Sequence, residues 1–130
     1  MVRHSTLTAV FVGSNPTSLA IRINEVFTML MVKFTCSEEQ EASSIIDVLL
    51  AKNLIASSHI TEIESKFVWK NELVLITEYE VTCYTSRFNF AKIVETVEQN
   101  HSYEMPQIIG IPIDYANNKF IDWILGIKNE

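Results

Sequence analysis

Between residues 29 and 113 the apolar residues switch from alternate spacing to helical spacing and back, twice. A chain with that rhythm has few ways to layer its helices on a sheet. MLMVKFTC (29–36) alternates, with Val32, Phe34 and Cys36 on one face and Lys33 and Thr35 on the other. Ser37 and Gln40 then have the spacing of a capping box, and Glu38, Glu39 and Glu41 fill a first turn whose dipole favours anions. Ala42, Ile45, Ile46, Leu49 and Leu50 follow helical spacing, and Lys52 and Asn53 mark the end.

Residues 55–69 alternate again. His59, Thr61, Ile63, Ser65, Phe67 and Trp69 oppose Glu62, Glu64 and Lys66. Lys70-Asn71 is a hairpin turn, because Asn tolerates positive φ. In 72–85, Leu73, Leu75, Tyr79, Val81 and Cys83 share one face, and Glu78, Glu80 and Thr82 share the other. Ser86 caps a second helix with Phe90, Ile93, Val94 and Val97 on its stripe. QIIGIPI (107–113) is a strand apolar on both faces, and 117–128 forms a terminal helix or single turn carrying Phe120, Ile121, Trp123 and Ile124. The order β-α-β-β-α-β plus a C-terminal helix, with a long β2-β3 hairpin, is that of an α+β, ferredoxin-like split βαβ sandwich. Its two helices cover one face of the sheet and leave the other open. A strand apolar on both sides is normally buried on both sides, so the missing cover is expected from another subunit.

The first residues differ in character. GSNPTS (13–18) consists of turn and breaker types, and no period runs through it. VGSNPT (12–17) also back-translates to a stem, GTCGG and CCGAC, around TTCGAAT, as in the T-arm of a transfer RNA gene. Residues 1–25 are therefore expected to be a disordered or mis-annotated extension, with translation starting at Met29 or Met31, and 26–130 to be the folded domain. The alternative is a genuine flexible extension.

Composition narrows the partners. The 130 residues carry a formal net charge of −6, which disfavours nucleic acid and anionic membranes and mildly favours cations. No apolar run reaches the ~18 residues that would cross a bilayer. The short LTAVFVG patch (7–13) is broken by Thr8 and is a poor secretory leader. Cys36 and Cys83 show no CxxC or CxxH spacing. A cytoplasmic location is expected, with the two cysteines unpaired.

The same residues resemble the CutA family of divalent-cation-tolerance proteins. HSYEMPQIIGIPI (101–113) resembles the family's H-P-Y-E-x-P-E-I-I-x-x-P-I, with His101, Tyr103, Glu104, Pro106, Ile108, Ile109, Pro112 and Ile113 in register. KFIDWI (119–124) resembles Y-L-x-W-I, and FTCSEEQEA (34–42) resembles V-T-C-P-x-E-x-x-A. LLAKNLIAS, SKFVWKNEL and EYEVTCYT match further segments in order. Departures are Ser57 for a Cys, His59 for an Asn, Glu62 for a Pro-Gly turn, Asn71 for a Gly, Tyr84 for a Lys and Ser102 for a Pro.

The resemblance implies a non-enzymatic homotrimer that binds copper or another divalent cation and responds to metal ions. A trimeric small-ligand sensor without a metal role is the alternative. His101, at the end of the second helix, offers an imidazole, and Cys36 and Cys83 offer soft sulfur, with Cys36 the expected partner of His101 because it ends its strand and matches the family's T-C. Trp69, Tyr103 and Glu104 are candidates to line a cleft between subunits. Each has a plainer reading: His101 as a helix-end cap, the cysteines as small buried hydrophobes, and Trp69 as an interface anchor. Glu78 and Glu80 could pair as an acid and a base only around an enclosed substrate. A solvated face or an ion pair between subunits is the expectation for them. No phosphate loop or nucleophile elbow is visible.

A chain shortened to begin at Met29 is expected to keep its oligomeric state and melting temperature. A loss of several degrees on thermal unfolding would show instead that the extension packs.

Overall fold

The computed structural model describes residues 28–126. The expectations for residues 1–25, and for the terminal helix beyond 126, lie outside the described residues. Strand β1 (Met29–Cys36) is followed by α1 (Glu39–Ala51) and by the hairpin β2 (Ser57–Trp69) and β3 (Glu72–Ser86). A 3-10 turn (Arg87–Asn89) leads into α2 (Phe90–Asn100), β4 (Ile108–Pro112) and α3 (Asn118–Gly126). The sheet order is β2-β3-β1-β4 and each pairing is antiparallel, the ferredoxin-like arrangement read from the sequence.

Local chemistry explains most boundaries. Lys70 (φ 52) and Asn71 (φ 68) both take positive φ, the requirement of a two-residue type I′ turn, whose twist matches that of its strands. Asn53 (φ 57) ends α1 in the left-handed region. Ser86 accepts a hydrogen bond from the Phe88 N–H at 3.2 Å, so it caps the 3-10 turn that opens α2.

The capping box does not form. The residue before α1 is Glu38, without a side-chain cap bond, so the helix starts one residue later than the box requires and Ser37 lies outside the cap position. Leu50, counted on the apolar stripe, is 42% exposed.

The helix-covered face holds the main core. Val32, Phe34 and Cys36 of β1 meet Val81 and Cys83 of β3, Ala42, Ile45 and Leu49 of α1, and Ile93 and Val97 of α2. On the opposite face α3 packs Ile121 and Ile124 onto Met29. Tyr84, where the family pattern has Lys, lies edge-on to Phe120 at 5.4 Å and 6.1 Å from the exposed His59 ring. The open face is thus capped at one end, and the rest is uncovered by the described residues. Ile109 and Ile111 of the doubly apolar strand are 39% and 36% exposed.

β1 reaches only as far as the Cys36–Tyr79 pair, whereas the β2–β3 ladder continues to Trp69–Glu72. The hairpin therefore projects as a two-stranded ribbon. Val68, Leu73 and Leu75 on it are 69%, 64% and 63% exposed.

Cys83 is fully buried, and burial pushes its thiol from 9.0 up to about 12. An unfolded thiol ionises near 8.5. The stability that the neutral thiol contributes is thus complete below about pH 8.5 and declines as pH climbs toward 12, by up to about 1.4 kcal/mol per unit. Urea unfolding at pH 8 and pH 10 should show this slope in the wild type and a shallower one in Cys83→Ala. Equal slopes would place the titrating groups elsewhere.

Candidate functional site

Three element ends meet beyond the last residue of β1. Cys36 closes the strand with its side chain fully buried. Glu41 lies in the first turn of α1. His101 follows the last residue of α2 in extended conformation (φ −98°, ψ 143°), which turns the chain back toward β1. Cys36 Sγ and His101 Nε2 are 3.6 Å apart. One donor atom each from Cys36, Glu41 and His101 falls within 4.8 Å of the other two.

The histidine is fixed at both ring nitrogens. Nε2 lies 2.7 Å from the Thr35 carbonyl oxygen, and Nδ1 accepts from the Tyr103 N–H at 3.0 Å. This is the neutral ring with its proton on Nε2, donated to Thr35. The same bonds anchor the 101–106 turn to the end of β1. Tyr103 lies beside the imidazole, with ring centroids 4.8 Å apart, and donates its hydroxyl to Glu78 Oε2 at 2.5 Å. Desolvation, then the Glu78 carboxylate, drives its phenol well above the ordinary range.

Cys36 is held as a neutral thiol. Burial, and after it the charges of Glu41 and Glu78, push it from 9.0 to about 12. Glu41 accepts from the Ser102 N–H at 2.7 Å and from the Ser102 hydroxyl at 3.1 Å.

Two of the three metal candidates read from the sequence are therefore brought together, Cys36 and His101. Cys83 lies one strand away in the core, opposite Val32, outside this cluster. Glu41 was missed, since it reads equally well as a first-turn anion. The available signal was that a helix starting right after a strand-end cysteine turns its first carboxylates back over that strand end.

Trp69 and Glu104 are linked through Lys70, whose Nζ stands 5.6 Å from the Trp69 ring and 3.4 Å from Glu104 Oε1. That ion pair is largely exposed and contributes little. Glu78 and Glu80 differ from the expected solvated face or inter-subunit pair. Glu78 is 5% exposed and bound to Tyr103, and Glu80 pairs with Lys33 of the same chain at 3.1 Å. Lys33 also donates to Thr82 Oγ1 at 3.2 Å.

As a donor set, one thiol, one carboxylate and one imidazole suit a borderline divalent cation. Magnesium and calcium prefer all-oxygen shells. Ligation through either ring nitrogen costs one of the two hydrogen bonds of His101, about 1 kcal/mol, which a transition-metal bond exceeds. The residues fit such an ion, and Cys36, Glu41 and His101 are those that would hold it.

Comparison with known proteins agrees with this architecture. Residues 30–126 match the family model described as CutA1 divalent ion tolerance protein. The divalent-cation tolerance protein CutA of Archaeoglobus fulgidus is 34% identical over 93 residues, 72% of this chain and 91% of that one. Its Thermus thermophilus counterpart is 30% identical over 95 residues, 72% and 92% of the two chains. The structure of the periplasmic divalent cation tolerance protein CutA from A. fulgidus superposes with a TM-score of 0.75 at 32% identity, covering 76% of this chain and 97% of that one. CutA1 of Oryza sativa gives a TM-score of 0.75 at 22% identity over 79% and 95% of the chains, a likeness of fold alone.

A thiol at about 12 lies three units above its ordinary 9.0, so at neutral pH it carries about a thousandfold less thiolate than a free one. Alkylation of Cys36 in the metal-free protein should be very slow at pH 7.5 and should accelerate as pH rises. Labelling at pH 7.5 as fast as in the unfolded chain would contradict this description of the site.

Proposed function

The chain belongs to the CutA1 divalent ion tolerance family, and from that membership we propose that it is a non-enzymatic homotrimer that binds copper or a similar divalent cation through Cys36, Glu41 and His101. The observation that carries the metal reading is the convergence of sulfur, oxygen and nitrogen donors within 4.8 Å. With such donors the usual affinity order places copper above zinc. Three protein ligands, one of them a buried thiol that must first lose its proton, favour moderate rather than extreme affinity. Tolerance then amounts to holding the ion away from other sites. None of these side chains is poised for turnover: the thiol is neutral and both ring nitrogens of His101 are occupied.

The trimer is supported by what the described residues leave uncovered: Leu73 and Leu75 on the ribbon and Ile109 and Ile111 on the sheet are all exposed, and among the described residues β2 and β4 are the edge strands. Exposed edges and apolar patches of this kind are tolerated when another chain covers them. This reading sets Trp69, Tyr103 and Glu104 at the subunit boundary. It also places the protein in the cytoplasm, where two free cysteines are at home, although the A. fulgidus relative is named periplasmic. Among the described residues no helix is long and apolar enough to cross a membrane.

Calorimetric titration with copper, zinc and magnesium should show binding of the first two and not the third. Cys36→Ser and His101→Ala should each weaken it by at least tenfold. Because binding expels the Cys36 proton, wild-type affinity should rise with pH near neutrality. Equal copper binding by all three proteins, or none, would overturn the metal reading.

Light scattering should give three chain masses of 14.9 kDa each, and Leu73→Glu should break the assembly. Trp69 is 36% exposed in the single chain, and Trp69→Ala should destabilise the trimer by roughly 3–5 kcal/mol if the subunit boundary buries its ring. A wild-type monomer at micromolar concentration would overturn the trimer.

A further inference from the structure

Ser102 is an exposed residue next to His101, and it spends both of its polar hydrogens on one carboxylate. Its N–H reaches Glu41 Oε2 at 2.7 Å and its hydroxyl reaches Oε1 at 3.1 Å. We infer that Ser102 is a positioning residue of the cation site, holding Glu41 in the orientation in which its carboxylate meets Cys36 and His101. The inference rests on the metal reading above.

A carboxylate offers about four lone-pair directions. Ser102 takes one on each oxygen and leaves the others for a cation. With both bonds made, a Glu41 oxygen already lies within 4.8 Å of the Cys36 sulfur and a His101 nitrogen, so the clamped pose is the pose that assembles the donors. A free Glu side chain on a helix surface samples several rotamers, and ligating a cation would freeze them. The clamp removes that freedom before the ion arrives. Hydrogen bonds that orient a ligating side chain in this way typically alter metal affinity by about 10–100-fold. A proline at position 102 would have neither N–H nor hydroxyl and could not make this contact.

The clamp also joins α1 to the turn after α2, and a purely structural tie is separated from a positioning role by a mutant cycle. Zinc titrations of the full chain are compared for wild type, Ser102→Ala, Ser102→Thr, Glu41→Ala and the double variant Glu41→Ala/Ser102→Ala, with melting temperatures of the metal-free proteins recorded alongside. Ser102→Ala is expected to weaken zinc binding by about tenfold, Ser102→Thr to restore it, and Ser102→Ala to have no further effect once Glu41 is alanine. Unchanged or tighter binding by Ser102→Ala, or the same loss in both backgrounds, would overturn the inference while leaving the cation site standing. Absence of zinc binding by the wild type would remove the site and the inference together.

Discussion

β1 is hydrogen-bonded along both edges, to β3 from Met29 through Cys36 and to β4 from Leu30 through Phe34, and the other elements are placed by what it touches. Its even-numbered residues Val32, Phe34 and Cys36 form the floor on which α1 and α2 rest. Its first residue, Met29, seats α3 on the reverse face. Its last backbone carbonyl before Cys36, that of Thr35, receives the His101 ring and so fixes the turn after α2. A one-residue slip of β1 would bring Lys33 and Thr35 into the helix-covered core and carry Cys36 away from His101. Core and candidate site therefore depend on the same register.

This dependence explains why the site is polar yet tightly organised. Each group at the end of β1 has a partner from another part of the chain: Cys36 with His101, Glu41 with Ser102, Tyr103 with Glu78. Hydrogen-bonded polar clusters at the edge of a core rigidify it when every member is satisfied. The resting state is a neutral thiol beside a neutral imidazole, and a cation would exchange the thiol proton for a metal–sulfur bond. The cation charge would also relieve the proximity of Glu41 and Glu78, the carboxylates that, after burial, raise the Cys36 thiol.

The elements of this fold were legible because periodicity is a local property. The alternation of Val32, Phe34 and Cys36, the stripe of Ala42, Ile45 and Leu49, and the turn at Lys70-Asn71 each follow from residues a few positions apart. The partners were less legible. Ser37 has the spacing of a helix cap, yet the residue before α1 is Glu38. The Glu78–Tyr103 bond spans 25 positions and the Cys36–His101 contact 65. That contact was anticipated only because both residues sit at element ends and match the family segments. Glu41 escaped notice because a first-turn glutamate has a sufficient helical explanation, and Ser102 because a serine in a turn has one too. The exposure of Leu73 and Leu75 was hidden for a different reason: alternation identifies a face without saying where the neighbouring strand stops.

If Cys36, Glu41 and His101 form one coordination shell, X-ray absorption of the zinc-loaded full chain should show a single sulfur at about 2.3 Å with the remaining ligands nitrogen or oxygen at about 2.0–2.2 Å, and loss of the sulfur shell in Cys36→Ser. A shell of nitrogen and oxygen alone in the wild-type protein would contradict it.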